Sequence, residues 1–371
     1  ALYLLQALLK SQQNPQMWFV TQAVMCVDCA LPNPTQAPLW GMGGAIALEH
    51  PELWGGLIDL SSEPTSEEVA ALLAEIADSQ GEDRLALRDS QRYVARLIPS
   101  KFAFNSISNL QSTICNQHTY LITGGLGALG LQIARWMVEQ GAKHLVLTGR
   151  RGMSEDAREA IAQLEQAGTQ VLIVTTDVSS PEDTIRLLQT IQQLMPPLRG
   201  ILHAAGVLED GMLLGQRWEN FSRVMAPKVA GARNLHVFTQ DLALDFFVCF
   251  SSVSALLGSP GQGNYAAANA FMDALMHYRR ALGLPGLSIN WGPWGGAGMA
   301  AGGSSDRARW SDRGVQLIAP KQGLQVLGKL LAQAVAQVGV LPIDWSKFAS
   351  QLSFNVKLPL LEELLTTVPQ T

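Results

Sequence analysis

Two spacings of apolar residues alternate along most of this chain: short unbroken apolar runs, and longer segments in which apolar side chains recur every three or four positions. From Tyr120 onward the pattern predicts strands at Leu121 to Thr123, His144 to Thr148, Val171 to Thr175, Gly200 to His203, Phe246 to Phe250 and Gly286 to Asn290. Between them it predicts helices up to about Gln140, at Ser154 to Ala167, at Pro181 to Leu194, across Lys228 to Phe238, and at Tyr265 to Arg280. Such alternation implies right-handed crossovers and an α/β fold, a Rossmann-like doubly wound parallel sheet.

Residues 1–110 read differently. A helix-like opening from Ala1 to Leu9, a strand from Trp18 to Val27, a Pro-rich link and the glycine-rich run Leu39 to His50 lead to a strand at Gly56 to Leu60. An acidic helix from Ser66 to Ala77 and a strand pair around Arg84 to Leu97 follow. This segment has α/β character and no phosphate loop, so its expected task is to brace the second unit. The predicted division is 1–110, a catalytic unit at 111–345, and a C-terminal helix and linker at 346–371.

Length and composition agree with two cores. The 371 residues are 47% hydrophobic and only 15% charged, which suits a well-buried protein and not a disordered one. A net charge of -5 argues against a nucleic-acid surface, which needs clustered cations. No apolar run approaches the roughly 18 residues of a membrane helix. Cys26 and Cys29 have the C-x-x-C spacing without a second pair; with Cys115 and Cys249 they read as reduced thiols of a cytoplasmic protein, with no metal. The chain opens at an alanine inside a helix-like run, as a piece of something larger would.

The candidate chemistry begins at Thr123-Gly124-Gly125-Leu126-Gly127-Ala128-Leu129-Gly130, where an apolar run meets a glycine cluster and then a helical pattern. Gly125, Gly127 and Gly130 fit G-x-G-x-x-G: one glycine for the turn, one for close approach to a pyrophosphate, one for helix packing. Such a turn also joins strands to helices where no ligand binds. After the second strand, where an acid would bind the ribose of NAD, stand Arg150 and Arg151; two guanidiniums suit the 2'-phosphate of NADPH. Asp177-Val178 would flank the adenine, although Asp177 could instead cap the next helix. Ala204, Ala205 and Gly206 give the small residues that a flat ring against the backbone requires. Ser252 leaves a strand end aimed at the same crevice, and Tyr265 and Asn269 share a helix face.

From about residue 39 to 345 the chain resembles a ketoreductase domain of a modular polyketide synthase, within the short-chain dehydrogenase/reductase superfamily. The resemblance rests on the glycine turn at 123–130, Gly-Arg-Arg at 149–151, His-Ala-Ala-Gly at 203–206, Ser252, Tyr265, Asn269 and Asn-Trp-Gly-Pro-Trp at 290–294. The superfamily commonly carries Tyr-x-x-x-Lys, and Asn269 departs from it. Ketoreductases of this family exchange the Lys and Asn positions, which makes Lys228 the matching lysine.

The resemblance implies an N-terminal truncated Rossmann-like structural subdomain and hydride transfer from the pro-S face of NADPH to a β-ketoacyl thioester on an acyl carrier protein. In that scheme Tyr265 is the general acid, Lys228 lowers its pKa and bonds the nicotinamide ribose, Ser252 holds the carbonyl oxygen, and Asn269 holds a proton-relaying water. Leu208, Glu209 and Asp210 resemble the Leu-Asp-Asp loop of B-type domains, which implies a D-configured hydroxyl; Glu209 departs at the middle position. Residues 295–316 match a lid, with Trp294 and Met299 toward the acyl chain. Gly44 stands where related subdomains often carry an arginine. A free-standing reductase of small ketones and a redox-silent or epimerising domain of the same synthase are the competing readings.

Overall fold

The computed structural model describes residues 1–11, 15–27, 31–79, 81–100, 114–296, 314–350 and 359–365. Two sheets organise them. The larger has seven strands in the order β11-β10-β9-β8-β5-β6-β7, all parallel. Its strands are β5 (Thr119–Thr123), β6 (His144–Gly149), β7 (Gln170–Thr175), β8 (Leu198–His203), β9 (Phe246–Ser252), β10 (Leu287–Trp291) and β11 (Gln337–Val340). The chain runs outward from β5 to β7 and then returns to the other side of β5 as β8. The crevice at the carboxyl ends of β5 and β8 is therefore a topological switch point, where ligands bind in open α/β sheets.

Helices α4 (Ala128–Glu139), α5 (Glu155–Gln166), α6 (Pro181–Leu194), α7 (Trp218–Met225), α8 (Ala232–Thr239), α9 (Ser254–Leu257), α10 (Gly263–Ala281) and α11 (Pro320–Leu331) complete this unit. The inner strands are apolar and buried because helices cover both faces, and β5 has every residue buried, while edge strands β7 and β11 are half-buried. β11 and α11 lie in a region where the pattern predicted no elements. β11 is short and half-buried at the sheet's edge, so its apolar signal is weak.

The N-terminal unit has four strands in the order β1-β2-β3-β4. β1 (Met17–Gln22), β2 (Trp54–Leu60) and β3 (Arg84–Arg88) are parallel, and β4 (Gln91–Val94) is antiparallel to β3. Helices α1 (Leu2–Lys10), α2 (Pro38–Glu49) and α3 (Ser66–Ala77) accompany them. β1 stops short of the expected Val27 because the chain turns at Ala23 (φ 52°), and the next two amides donate to the Asp59 carboxylate at 3.0 Å each. Asp59 also pairs with Arg88 at 2.7 Å and accepts from Thr21 Oγ1 at 2.6 Å. A satisfied ionic network thus fills the strand ends of the small sheet.

The glycine-rich run forms α2, and its glycines serve packing. A Cβ on Gly41 would stand 2.1 Å from the Ala266 carbonyl oxygen, so only glycine lets α2 cross α10 at this depth. Beside Gly44, where the resemblance predicts an arginine, a guanidinium arrives from β3 instead. Arg84 Nη2 lies 3.2 Å from where a Gly44 Cβ would be, and Nη1 donates to the Leu256 carbonyl at 2.5 Å.

Part of the C-terminal segment packs against the rest of the chain. Leu97 N donates to Leu360 O at 2.7 Å, Arg96 pairs with Glu362 at 3.0 Å, and Leu361 and Leu364 are buried. Residues 359–365 therefore dock on the N-terminal unit. Among the described residues no helix is long and apolar enough to cross a membrane.

Candidate active site

The glycine turn lies at the switch point. Gly124 adopts φ +70°, and a Cβ there would come within 2.9 Å of Ala205 N; on Gly125 it would meet Ile122 O at 2.7 Å, and on Gly130 Gly124 O at 2.3 Å. Gly127 is the N-cap of α4; no side chain caps that helix end, and no acid stands in its first turn. Its first amides remain available to an anion, and the backbone of Ala204 and Ala205 passes directly beside the turn. The Leu126 side chain lies over Gly149 at the end of β6, and Thr123 Oγ1 is committed to His203. Arg150 and Arg151 follow β6, both exposed and without a carboxylate partner among the described residues. Residues of this kind fit a dinucleotide.

Asp177 does not cap the next helix, because Ser180 does so. One Asp177 oxygen accepts from Ser179 N at 3.0 Å. Val178 is buried, with its side chain close to Gly231.

Lys228 is placed by an irregularity that periodicity did not predict. The expected long helix is continuous from α7 to α8 but widens into a π-helical turn at Ala226–Gly231. Pro227 has no N–H to donate, and a wider turn accommodates it. His203 braces this turn: its Nε2 lies 3.0 Å from Pro227 O and its Nδ1 2.7 Å from Thr123 Oγ1. A carbonyl can only accept, so Nε2 carries the proton and Nδ1 accepts from the threonine hydroxyl. Burial, reinforced by the nearby Lys228 charge, pushes His203 down to about 3, so the ring is neutral. Sequence reading treated His203 only as part of a motif; a histidine ending an apolar strand was the available signal.

Lys228 is only 2% exposed. Its Nζ donates to Phe250 O at 3.1 Å and stands 5.1 Å from the centroid of the Tyr265 ring. Burial lowers the ammonium to about 8, opposed by Cys249 and Asp273. For Tyr265 the expected lowering is not what the geometry produces. Burial pushes the phenol up to about 12, with the Asn269 side chain opposing and Asp210 reinforcing, and the Lys228 charge lies over the ring face.

Asn269 is fully buried one turn below Tyr265. Its Nδ2 donates to Tyr265 O at 2.8 Å, while Oδ1 is buried without a protein partner and can accept from a water. A further turn on stands Asp273, which sequence reading missed although an acid on this apolar face was visible. Its carboxylate accepts from Ser288 Oγ at 2.5 Å and Asn290 Nδ2 at 2.8 Å, and burial raises it to about 6. Asn290 Nδ2 also reaches Ser252 O at 3.1 Å. Ser252 Oγ accepts from Ser254 N at 3.2 Å, which leaves its proton free to donate into the cleft.

The segment at 208–210 divides. Asp210 is exposed, and its carboxylate accepts from Gln262 Nε2 at 3.1 Å. Leu208 is half-buried. Glu209 turns its carboxylate to Arg223 and to Asn220 Nδ2, and the Arg223 bond holds it below the usual range. Glu209 thus faces α7 and contributes its backbone, not its charge, to the cleft. Trp294, expected to face the acyl chain, is 5% exposed; its ring stacks edge-on with Trp291 and lies against Gly323 of α11. Its bulk belongs to the core beside the sheet. Met299 and most of the expected lid lie outside the described residues, as does Cys29. Among the described residues no acidic, cysteine and histidine cluster could hold a metal ion.

Comparison with known proteins gives a consistent picture. A KR domain profile matches residues 118–296, and the profile of the Rossmann fold domain of the polyketide synthase extender module SpnB matches 1–97. The 6-methylsalicylic acid synthase AOL_s00215g283 of Arthrobotrys oligospora is 37% identical over 90% of this chain and 19% of its own length. The pikromycin polyketide synthase component PikAIII of Streptomyces venezuelae is 37% identical over 98% of this chain and 23% of its own. The chain thus spans less than a quarter of these curated relatives. A solved A1-type ketoreductase superimposes with a TM-score of 0.88 at 36% identity, covering 98% of this chain and 76% of that one.

Proposed function

The chain belongs to the ketoreductase family of the modular polyketide synthases, and from that premise we propose that it uses NADPH to reduce a β-ketoacyl thioester, carried on an acyl carrier protein, to the D-configured β-hydroxyacyl product. The observation that carries this reading is the meeting of the Lys228 ammonium and the Tyr265 ring, 5.1 Å apart, in a sheet whose switch point carries a glycine turn. The bound cofactor supplies the hydride. Free backbone amides of the glycine turn and the α4 N-terminus would hold its pyrophosphate, Arg150 and Arg151 its 2'-phosphate, Asp177 and Val178 would flank the adenine, and the small residues Ala204, Ala205 and Gly206 would leave room for the ring.

Ser252 donates its free hydroxyl proton to the ketone oxygen and fixes the approach of the reacting carbon. Tyr265 transfers its proton to that oxygen as negative charge develops. With a phenol raised to about 12, Tyr265 is protonated at working pH, as an acid must be; Lys228 then stabilises the phenolate left behind. Asn269 Oδ1, buried beneath the phenol, positions a water for reprotonation. Leu208 and Asp210 border the cleft where the acyl chain enters, and other domains of a cytoplasmic synthase complete the setting.

NADPH absorbance, followed with a β-ketoacyl thioester, tests the proposal. Turnover that Tyr265→Phe lowers at least 100-fold, with NADPH binding unchanged, supports it. No turnover by the intact protein points to a redox-silent domain, and chiral chromatography showing the L-alcohol overturns the stereochemical assignment.

A further inference from the structure

Two loops bound the cleft. One, residues 207–216, carries Leu208 and Asp210; the other, residues 253–262, leads from Ser252 into Tyr265. They touch directly: Gly211 N donates to Gly261 O at 2.8 Å, and Gln262 Nε2 to Asp210 at 3.1 Å. Neither loop has regular structure at this meeting point; from within the unit, Gln216 Nε2 donates to Glu209 O and Gly211 O, and Asn264 Nδ2 to Glu209 O, but none of these bonds joins the two loops where they face each other.

The Glu49 carboxylate at the C-terminal end of α2 reaches both. Its Oε1 accepts from Gly261 N at 2.8 Å and its Oε2 from Leu213 N at 2.7 Å. One half-buried carboxylate from the N-terminal unit thus joins the two walls of a cleft built by the other unit, through charge-assisted bonds stronger than neutral ones. Gln6 of α1 adds to the first wall, donating to Leu213 O at 2.9 Å and Gln216 O at 2.8 Å. Arg84 adds to the second through Leu256 O. The same geometry explains why glycines are needed here: Gly258 (φ +73°) would place a Cβ 2.2 Å from Gly44 O.

We infer that Glu49 is a positioning residue of the reductase, which sets the spacing of the two cleft walls and thereby the face of the ketone presented for reduction. The inference rests on the proposed function for its catalytic consequence, while its structural half stands independently. Glu49 touches no reacting atom; it acts through Asp210 on one side and the Tyr265 approach on the other. Glu49→Gln is the sharpest change, because an amide accepts one backbone N–H and turns its own N–H groups toward the other.

Two measurements separate the inference from the function. Hydrogen–deuterium exchange of the whole chain reads the clamp without turnover, and Glu49→Gln should speed exchange at the Leu213 and Gly261 amides about tenfold or more. Reduction of a β-ketoacyl thioester should show kcat/KM for the thioester falling about tenfold and the minor alcohol enantiomer rising, with NADPH affinity within about twofold. Gln6→Ala, on a surface helix, should shift the Leu213 side alone in the same direction and serves if Glu49→Gln folds poorly. Unchanged exchange at both amides, or an unchanged enantiomer ratio in an active wild-type background, overturns the inference. If the wild type does not turn over, the proposed function fails and the exchange result still decides whether Glu49 clamps the loops.

Discussion

Replacing Lys228 by methionine separates what this residue costs the fold from what it gives the chemistry. The ammonium is 2% exposed, and burial brings it from 10.5 to about 8. At about 1.4 kcal/mol per pH unit, holding it charged in the folded state costs about 3 kcal/mol. Against this stand the bond to Phe250 O and the contact with the Tyr265 ring, about 1–3 and about 1–2 kcal/mol respectively. At pH 7 Lys228→Met should therefore leave stability within about 2 kcal/mol of wild type, while kcat falls about 100-fold or more.

The sign of the pH dependence is the sharper test. Below pH 8 lysine is protonated in both folded and unfolded wild type, so the gap between wild type and variant is constant. Between pH 8 and 10.5 the unfolded chain binds the extra proton, so wild-type stability rises with pH relative to the variant, by about 3 kcal/mol in total. Urea unfolding of the two proteins side by side from pH 7 to 10, with NADPH oxidation measured in parallel, reads both effects. Wild-type stability minus variant stability that stays flat or falls across that window would refute the claim that burial depresses this lysine.

Three further outcomes are expected. Arg150→Ala combined with Arg151→Ala should raise the KM for NADPH about 10–100-fold while barely changing that for NADH, measured by initial rates with each cofactor. Gly41→Ala forces a Cβ to 2.1 Å from Ala266 O and should destabilise the protein by about 3 kcal/mol, seen as a lower urea midpoint with concurrent loss of activity as α10 shifts. Asp273→Asn removes a carboxylate that burial raises to about 6, so wild type should lose about 3 kcal/mol relative to the variant as pH rises from 3.8 to 6, in paired unfolding curves.

Much of the fold was legible because local rules and the tertiary arrangement agreed. The apolar runs that became β5, β6, β8, β9 and β10 are largely buried, where a continuous hydrophobic signal is strongest. The helix expected at Ser66 to Ala77 has those same limits in the structure, where Thr65 caps it. The glycine turn was legible as well, since Gly124, Gly125 and Gly130 answer close backbone approaches that a Cβ would block. Weak signals failed: β11 is a half-buried edge strand, and the glycine-rich run at 39–50 gave no element although it forms α2, where Gly41 serves a helix crossing.

What the residues alone determined is the chemistry available and the elements that carry it: a phenol and an amide one helical turn apart, a hydroxyl at a strand end, a lysine, and an uncapped glycine-rich helix start. Sequence spacing encodes these because they sit within single elements, where 3.6 residues per turn or a strand's alternation places side chains. Only the tertiary structure decided what surrounds each group. It set the Lys228 ammonium over the ring and not at the hydroxyl, turned Glu209 toward Arg223 and Trp294 into the core, and brought Glu49 from the other unit to the cleft. Those relations join positions far apart in the chain, and burial, which sets the charges at the site, exists only once the elements have packed.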